Sequence, residues 1–405
     1  MTNIELTNQD FIEFDINGNI FNTSDEYVPL GVSFAKGKSV SIKREKDREI
    51  RIFFLNEVKK YKNHLSNKFV MDKVTKYLMD IYEKGLNYSN FNVLLNQLKA
   101  IEPQKKNIFV KIYNLSIDID YYDADSFTLF NPIYFMNTYK NQFMYRNIND
   151  RNTVNTDNST HTAIVFKNVE IVDNDQDQIK NVIEDKIQQF INLIGIALND
   201  RISALELDTS FVQNSTEYHI LNEKMNETSA CYSSDNSTYI KGNIILKSAL
   251  FFDNNQKLFK LLNEQKNLLQ NKIYKSAMWL GKSLRNENIG DAFLQETIAL
   301  ECLLTRQEKN YCISPSIGYS LAETLALLVG TTKENRINIL KDIKKLYGLR
   351  SSIVHSGKSD ISINSYYQLF DYIKKGIYII LDLIDEKKLQ NIDELYNYID
   401  DIKFS

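Results

Sequence analysis

The sequence predicts an α+β N-terminal domain followed by an all-α helical bundle. Up to about residue 250 the apolar residues show both strand-like and helix-like spacing, and beyond it the spacing is helical almost throughout. The chain has 405 residues, which is enough for two domains with hydrophobic cores of their own. We therefore expect an α+β domain over residues 1–250 and a helical bundle over residues 251–405.

Both kinds of pattern occur in the first half. Strands are predicted where apolar and polar residues alternate, at 108–113 and 163–172. A long helix is predicted from Asp177 to Leu198, with its apolar residues on one side. Two segments rich in Asn, Asp, Ser and Thr, at 146–160 and 226–237, are typical of surface loops.

An acidic run precedes that long helix. Asp173, Asp175, Asp177 and Glu184 have the ligand spacing of a calcium loop, but Gln178 stands where such a loop requires Gly. A turn from strand to helix, in which an acidic side chain caps the helix, explains the same residues. We favour this second interpretation.

In the second half of the chain, the pattern of apolar residues predicts helices joined by short loops, as in an antiparallel bundle. One apolar stripe predicts a single long helix from Gln256 to Leu284. The next helix, from Asp291 to Thr305, is apolar nearly all round and is expected at the centre of the bundle. Further helices are predicted over residues 314–330, 333–355, 362–385 and 393–402.

Composition excludes several classes of protein. The net charge is −3, so no overall positive field draws the chain to nucleic acid, and an RNA site must be a local patch. No segment reaches the apolar length of a membrane span, and the first ten residues lack the pattern of a signal peptide. Motifs for nucleotide phosphates or dinucleotides are absent and the histidines are isolated. We expect a soluble, cytoplasmic protein with no cofactor, no metal site and no membrane partner.

The segment from Lys345 to Gly357 carries the residues best suited to chemistry. On the predicted helix over 333–355 the apolar stripe continues into Arg350, and a cation on that side needs a partner or an anion. His355, five residues on, is rotated by about 140° from Arg350 on a straight helix. The two could converge where the helix ends, or meet across a two-fold interface between two chains.

Arg and His together suit phosphodiester chemistry. A guanidinium holds phosphate oxygens with a planar fork of donors, and an imidazole moves protons near neutral pH. The alternative is structural, with Arg350 paired to a buried carboxylate and His355 solvated at a helix end. Glu301 is the carboxylate that we expect to pair with Arg350, either within a site or as a purely structural ion pair.

This segment, its place on the penultimate long helix and the stretch Phe293–Leu304 resemble the HEPN superfamily, and within it the ApeA-like branch. The resemblance covers about residues 256–388, a third of the chain. Its motif is Arg, usually a polar residue, then a short gap and His, which Arg350, Ser351 and His355 match. Many members have Asn, Asp or His where this chain has Ser351.

The resemblance implies a metal-independent endoribonuclease whose site is assembled from two copies of the motif, in a homodimer formed through the C-terminal bundle. His355 is then the general acid or base, Arg350 binds the scissile phosphate, and Ser351 orients one of the pair or the phosphate. The products carry a 2′,3′-cyclic phosphate and a 5′-hydroxyl. Members often act as toxins or as effectors of antiviral defence, including abortive infection, in prokaryotes.

RNA is the expected partner, and it needs a local basic patch. The basic residues near the motif that could form this patch, or simply a solvated helix face, are Arg336, Lys341, Lys344, Lys345 and Lys358. A rival function is a non-catalytic HEPN module that binds a nucleotide or RNA as a sensor or scaffold, and a third is a bundle that only dimerises. The N-terminal domain is expected to sense a trigger, guide the substrate or inhibit the nuclease, through a partner that the sequence leaves open.

Overall fold

The computed structural model describes residues 6–15, 26–33, 38–61, 64–85, 90–113, 115–139, 161–201, 217–232, 244–246, 249–263, 265–306, 317–356 and 361–404. The chain divides into two compact units, Met1–Lys105 with Val169–Glu184 and Lys106–Asn168 with Asp185–Ser405. The predicted boundary near residue 250 lies inside the second unit, where strands give way to helices, and as a domain boundary it stays a prediction.

The first unit combines a small sheet with three helices. Strands β1 (Phe11–Asp15), β2 (Tyr27–Ser33) and β3 (Lys38–Lys43) form an antiparallel sheet in the order β1-β3-β2. Helices α1 (Arg44–Tyr61), α2 (Asn67–Lys84) and α3 (Phe91–Lys99) follow. Apolar residues at helical and alternating spacing close one core, in which Val40, Ile42, Ile50, Phe54, Val74 and Leu78 are fully buried.

The second unit begins with a larger sheet. Its strands are β4 (Gln104–Tyr113), β5 (Leu115–Ile117), β6 (Tyr121–Asp123), β7 (Phe127–Phe130), β8 (His161–Ile171), β9 (Glu217–Leu221), β10 (Glu227–Tyr232) and β11 (Ile244–Leu246). Six of them form a sheet in the order β10-β9-β4-β8-β7-β6, and β11 pairs with β5 in parallel. Helix α4 (Pro132–Tyr139) follows β7, and α5 (Gln176–Leu198) follows β8. The division between the units falls within β4, β8 and α5.

From residue 249 onward the described chain is helical. The helices are α6 (Ala249–Phe259), α7 (Leu268–Leu284), α8 (Ile289–Leu304), α9 (Ile317–Val329), α10 (Lys333–Ser356), α11 (Ile363–Lys387) and α12 (Ile392–Phe404). A sheet-containing N-terminal region followed by an all-helical C-terminal region is the coarse architecture that the sequence predicted. Helix α8 packs against α7, α9, α10 and α11, which confirms its predicted central place.

Two segments differ from the prediction. The prediction of a single helix from Gln256 to Leu284 is wrong. Helix α6 ends at Phe259, a 3-10 turn spans Lys260–Leu262, and α7 begins only at Leu268. A capping box starts α7, because the Asn267 side chain accepts from the Gln270 backbone at 2.7 Å while the Gln270 side chain accepts from the Asn267 backbone at 2.9 Å. Likewise, part of the loop expected at 226–237 is strand β10, antiparallel to β9.

The acidic turn before α5 is a helix cap, as we favoured. Asp175 Oδ1 accepts from the backbone N–H of Gln178 at 3.0 Å, and Asp175 Oδ2 accepts from that of Ser66 at 2.7 Å. Residues 146–160 and the predicted helix start at 314–315 lie outside the described residues. Within the described ranges, no helix is both long enough and apolar enough to cross a membrane.

Candidate functional site

The candidate site is built on α8 and α10, and both helices start at polar caps. The Asn288 side chain accepts from the backbone N–H of Asp291 at 3.1 Å and starts α8. The Thr332 hydroxyl accepts from the backbone N–H of Asn335 at 3.2 Å and starts α10. These caps satisfy backbone donors that the first helical turn leaves without partners, and so fix where each helix begins.

Three side chains from these helices meet in what we call the Glu301 cluster: Glu301, Tyr347 and Arg350. Nε of Arg350 lies 3.2 Å from Oε1 of Glu301, and the Tyr347 hydroxyl donates to the same oxygen at 2.7 Å. The guanidinium carbon of Arg350 lies 5.5 Å from the centre of the Tyr347 ring. The predicted pairing of Glu301 with Arg350 is confirmed, and its function stays a prediction.

The Glu301 cluster is at the edge of the bundle and not deep inside it. The Arg350 side chain is 34% exposed and the Glu301 side chain 29%. Ile339, Ile343 and Leu346 precede Arg350 on the buried side of α10. Arg350 therefore begins on the core side, as its place in the apolar stripe predicts, and its head group reaches solvent.

Tyr347 is the member of the cluster that sequence reasoning missed. It stands three residues before Arg350, so the two side chains share one side of α10. That spacing was the available signal. Burial raises the pKa of Tyr347 to about 12, with its hydrogen bond to Glu301 as the second cause, so the hydroxyl stays a donor at neutral pH.

A glycine makes room for the Tyr347 ring. Gly318, in the first turn of α9, approaches the ring so closely that a Cβ there would lie 2.6 Å from Tyr347 Cδ1. A side chain at position 318 would have to displace the ring. Gly318 thus allows α9 and α10 to hold Tyr347 against Glu301.

His355 lies apart from the Glu301 cluster. It is exposed in the last turn of α10. The step of five residues turns it by about 140° and moves it about 7.5 Å along the axis from Arg350. Among the contacts of the described residues, none joins His355 to Arg350 within this chain.

His355 instead ends a row of exposed residues that we call the α10 strip: Lys344, Gly348, Ser351 and His355. Their spacings of four, three and four residues place them on one side of the helix. All four are exposed, and a Cβ at Gly348 would meet nothing within 4 Å. The strip is therefore an open surface with a basic residue at one end and an imidazole at the other.

The predicted basic residues divide between different environments. Lys341, Lys344 and Lys345 are exposed on α10, and the ammonium of Lys344 lies 5.2 Å from the centre of the Tyr319 ring. Arg336 instead donates through Nε to the backbone oxygen of Gly330 at 3.0 Å, which ties α10 to the end of α9. Lys358 lies outside the described residues. Three of the predicted basic residues therefore share the exposed surface of α10, and a basic patch that binds RNA stays a prediction.

Glu296 also lies on α8, five residues before Glu301, in a different environment. It is fully buried, and neither carboxylate oxygen has a hydrogen-bond partner among the described residues. Burial raises the pKa of Glu296 well above its ordinary value, against the opposing effect of Arg201. One helix therefore carries a paired, accessible carboxylate and a buried one that favours its neutral form.

Within the described residues, no group of three or more His, Cys, Asp and Glu side chains is placed to hold a metal ion. Comparisons of the chain with protein-family models, with curated proteins and with solved structures found no match.

Proposed function

We propose that this protein is an endoribonuclease of the HEPN type that cleaves RNA without a metal ion. One observation carries the proposal: α10 bears both a guanidinium and an exposed imidazole, and two neighbouring side chains orient the guanidinium. Arg350 is held by Glu301 and Tyr347, and His355 ends the α10 strip. This set supplies a phosphate-binding group and a group that transfers protons near neutral pH.

Arg350 binds the scissile phosphate. The contact with Glu301 uses Nε, so the two terminal Nη groups remain as donors for the non-bridging phosphate oxygens. As the 2′-oxygen attacks, negative charge grows on those oxygens, and a guanidinium already fixed in place stabilises it without first reorganising. Glu301 and Tyr347 are positioning residues in this scheme.

His355 transfers protons. As a neutral imidazole it takes the proton of the ribose 2′-hydroxyl while the 2′-oxygen bonds to phosphorus. The bond from phosphorus to the 5′-oxygen breaks, and a protonated imidazole gives that oxygen its proton. The products are a 2′,3′-cyclic phosphate and a 5′-hydroxyl, so the reaction needs no water and no metal-bound nucleophile.

Two copies of the chain complete the site. Because Arg350 and His355 lie on different sides of α10, one phosphate reaches both most directly when the imidazole comes from the partner subunit. Large apolar side chains are exposed on the three helices around the site: Ile317, Tyr319, Ile337, Val354 and Ile363. Such side chains are the material of a protein interface and support dimerisation through the bundle.

We infer the biological role from the resemblance alone. The protein acts as a toxin or as an effector of prokaryotic antiviral defence by abortive infection. The N-terminal region then senses a trigger, guides the RNA or keeps the nuclease inactive. Both inferences rest on fold-level analogy and not on a site.

The competing function is a non-catalytic module that binds a nucleotide or RNA. One observation favours it: Arg350 is already paired with a carboxylate, which lowers the net positive charge offered to a phosphate. In that case Arg350 and His355 contribute affinity and there is no turnover.

The experiment compares the purified wild type with His355→Ala and Arg350→Ala on mixed cellular RNA in EDTA. We expect the wild type to produce fragments ending in cyclic phosphate, and each variant to lose about 100-fold or more of the rate. Asn338→Ala, an exposed change on the same helix, is the control and should cleave normally. If the wild type binds RNA without cleaving it, the binding module is favoured. If it neither binds nor cleaves RNA, the remaining function is that of a bundle that only dimerises.

A further inference from the structure

A cleft lies on the six-stranded sheet of the second unit. Its volume is about 590 Å³, within the range of small-molecule sites. Strands β4, β6, β7 and β8, helix α4 and the turn before β10 contribute its walls, which include Asn107, Tyr121, Asp123, Tyr134, Lys167 and Glu223. None of these residues belongs to the Glu301 cluster or the α10 strip.

One wall of the cleft is aromatic. The rings of Tyr121 and Tyr134 are stacked, with centres 5.7 Å apart and planes 30° from parallel. The Phe130 ring lies 6.4 Å from that of Tyr134 at 8°, and Tyr139 packs edge-on against Phe130 at 5.6 Å. Tyr121 lies on the edge strand β6 and is 51% exposed, which is high for a large aromatic residue. About half of the Tyr121 side chain is thus open to contact with a planar ligand.

The base beneath this wall is rigid. Phe109, Phe130, Phe135 and Leu221 are buried in a hydrophobic cluster, and Tyr134 and Tyr139 pack against it. The sheet and α4 thus orient the Tyr134 and Tyr139 rings before any ligand binds, and Tyr121 stacks on Tyr134. A preformed wall reduces the entropy lost on binding.

The other wall is polar, and its carboxylates outnumber its positively charged groups. Lys167 donates to Asp123 Oδ1 at 2.6 Å and to the backbone oxygen of Ala124 at 2.8 Å, so its ammonium is engaged within the protein. The Thr128 hydroxyl also donates to Asp123. Burial alone would raise the pKa of Asp123, but the hydrogen bonds from Lys167 and Thr128 lower it, so the carboxylate is ionised at neutral pH. Glu223 is exposed at the rim. The lining thus includes two carboxylates and one ammonium that is already engaged, and a ligand with its own donors is favoured over an anion.

We propose that this cleft binds a nucleobase that carries an exocyclic amino group, as adenine and cytosine do. The ring stacks on Tyr121, and the amino group donates to the carboxylates of Asp123 and Glu223, with the amide of Asn107 at the same wall. Base stacking on aromatic side chains and amino-to-carboxylate hydrogen bonds are the two contacts by which proteins commonly hold such bases. The inference does not depend on the nuclease proposal, because it uses other residues.

The test is calorimetric titration of the full chain with adenosine, cytidine, uridine and a methyl glucoside. We expect adenosine or cytidine to bind and uridine to bind about tenfold or more weakly, because uracil has a carbonyl oxygen in place of the amino group, and its ring N–H lies between two carbonyl oxygens that the carboxylates repel. Tyr121→Ala should weaken nucleoside binding by about tenfold through the lost stacking surface. Glu223→Gln should reduce the preference for cytidine over uridine, and Tyr121→Phe should bind as the wild type does.

Phe404→Ala removes a ring that is 83% exposed on the last helix and is the matched control for Tyr121→Ala. Because Tyr121 and Glu223 are both exposed, neither change removes core packing, and far-ultraviolet circular dichroism checks the fold. The proposal is overturned if no amino-bearing nucleoside binds, if uridine or the glucoside binds as well as the better of adenosine and cytidine does, or if binding is unchanged in Tyr121→Ala.

Discussion

The two sides of α10 hold their functional residues in different ways. On the core side, Arg350 is oriented by Glu301 and Tyr347, and Gly318 leaves space for the tyrosine ring. On the solvent side, His355 stands exposed at the end of a strip that includes Gly348. In the proposed reaction, the cation that would bind phosphate is fixed by its neighbours, whereas the proton carrier is exposed to solvent.

This contrast bears on where the reaction takes place. A fixed Arg350 can stabilise a transition state without reorganising, and an exposed His355 can exchange protons with solvent between turnovers. Their separation around α10 means that one chain presents the two groups in different directions.

The largest effect is expected from mixing two inactive variants. Arg350→Ala and His355→Ala should each lose about 100-fold or more of the cleavage rate. If the site takes Arg350 from one subunit and His355 from the other, random mixing forms hybrids with one intact site and restores about a quarter of the activity. Cleavage rates of the mixture after subunit exchange measure this. If the mixture recovers no activity, then either each site takes Arg350 and His355 from the same chain, or each site needs Arg350 and His355 from both chains.

Loss of the tyrosine hydroxyl tests the core side alone. Tyr347→Phe keeps the ring over Gly318 but removes the hydrogen bond to Glu301, so we expect kcat to fall about tenfold with a smaller change in KM. Tyr396→Phe is the control, because its hydroxyl donates to the Leu304 backbone at 2.8 Å and not to Glu301. Equal losses in both variants would show that the effect on rate comes from stability.

The two glutamates of α8 extend the comparison to pH. The pKa of buried Glu296 is raised above its ordinary value of 4.5, so above that pH the unfolded chain releases a proton that the folded chain keeps. The contribution of Glu296 to the stability of the wild type should therefore decline as pH rises above 4.5 towards the raised pKa of the folded state. Glu296→Gln removes this contribution and should be the more stable of the two proteins at neutral pH, by about 1 kcal/mol. Thermal melts across the range measure it, and a difference independent of pH would contradict it.

Charge on the solvent side should act on RNA binding more than on chemistry. Lys344→Ala is expected to weaken RNA binding about threefold and to lower the salt slope by about 0.7, because one phosphate contact is lost. Lys403→Ala, on the last helix and paired with Glu323, should leave both unchanged. Binding titrations at several salt concentrations make the comparison. An unchanged slope in Lys344→Ala would mean that the α10 strip is only a solvated surface.

The smallest effects come from two glycines on the two sides. Gly348→Ala should raise the free energy of unfolding by about 0.5–1 kcal/mol, since an exposed helix gains from alanine and nothing blocks the added methyl group. Gly318→Ala should lower it by about 1 kcal/mol, because the methyl group must push the Tyr347 ring aside. Denaturant unfolding of the pair measures the difference in sign, and the same sign for both would refute the close packing at Gly318.

Much of the C-terminal region could be predicted from periodicity. The all-round apolar character of α8 predicted its central place and the need of Glu301 for a partner, and the stripe on α10 predicted where Arg350 would start. Tyr347 had a usable signal in its spacing and was overlooked. The break between α6 and α7 was missed because the apolar stripe continues through it, while the capping box of Asn267 and Gln270 sets the true start.

The cleft on the sheet shows the opposite case. Its walls come from Asn107, Tyr121, Tyr134, Lys167 and Glu223, which are widely separated along the chain. No local pattern marks them as a group, since each looks like an ordinary strand or turn residue. Only the pairing order of the strands brings them together.

The amino-acid sequence was sufficient for the helical spacing, the buried stripes and the candidate pair of Arg350 and His355, because these depend on neighbours within a few turns of helix. The tertiary structure decided that the Tyr347 hydroxyl joins Glu301 and Arg350, that Gly318 admits the Tyr347 ring, and that a cleft exists at all. Those features depend on contacts between distant segments, whose geometry is set by packing of the whole unit.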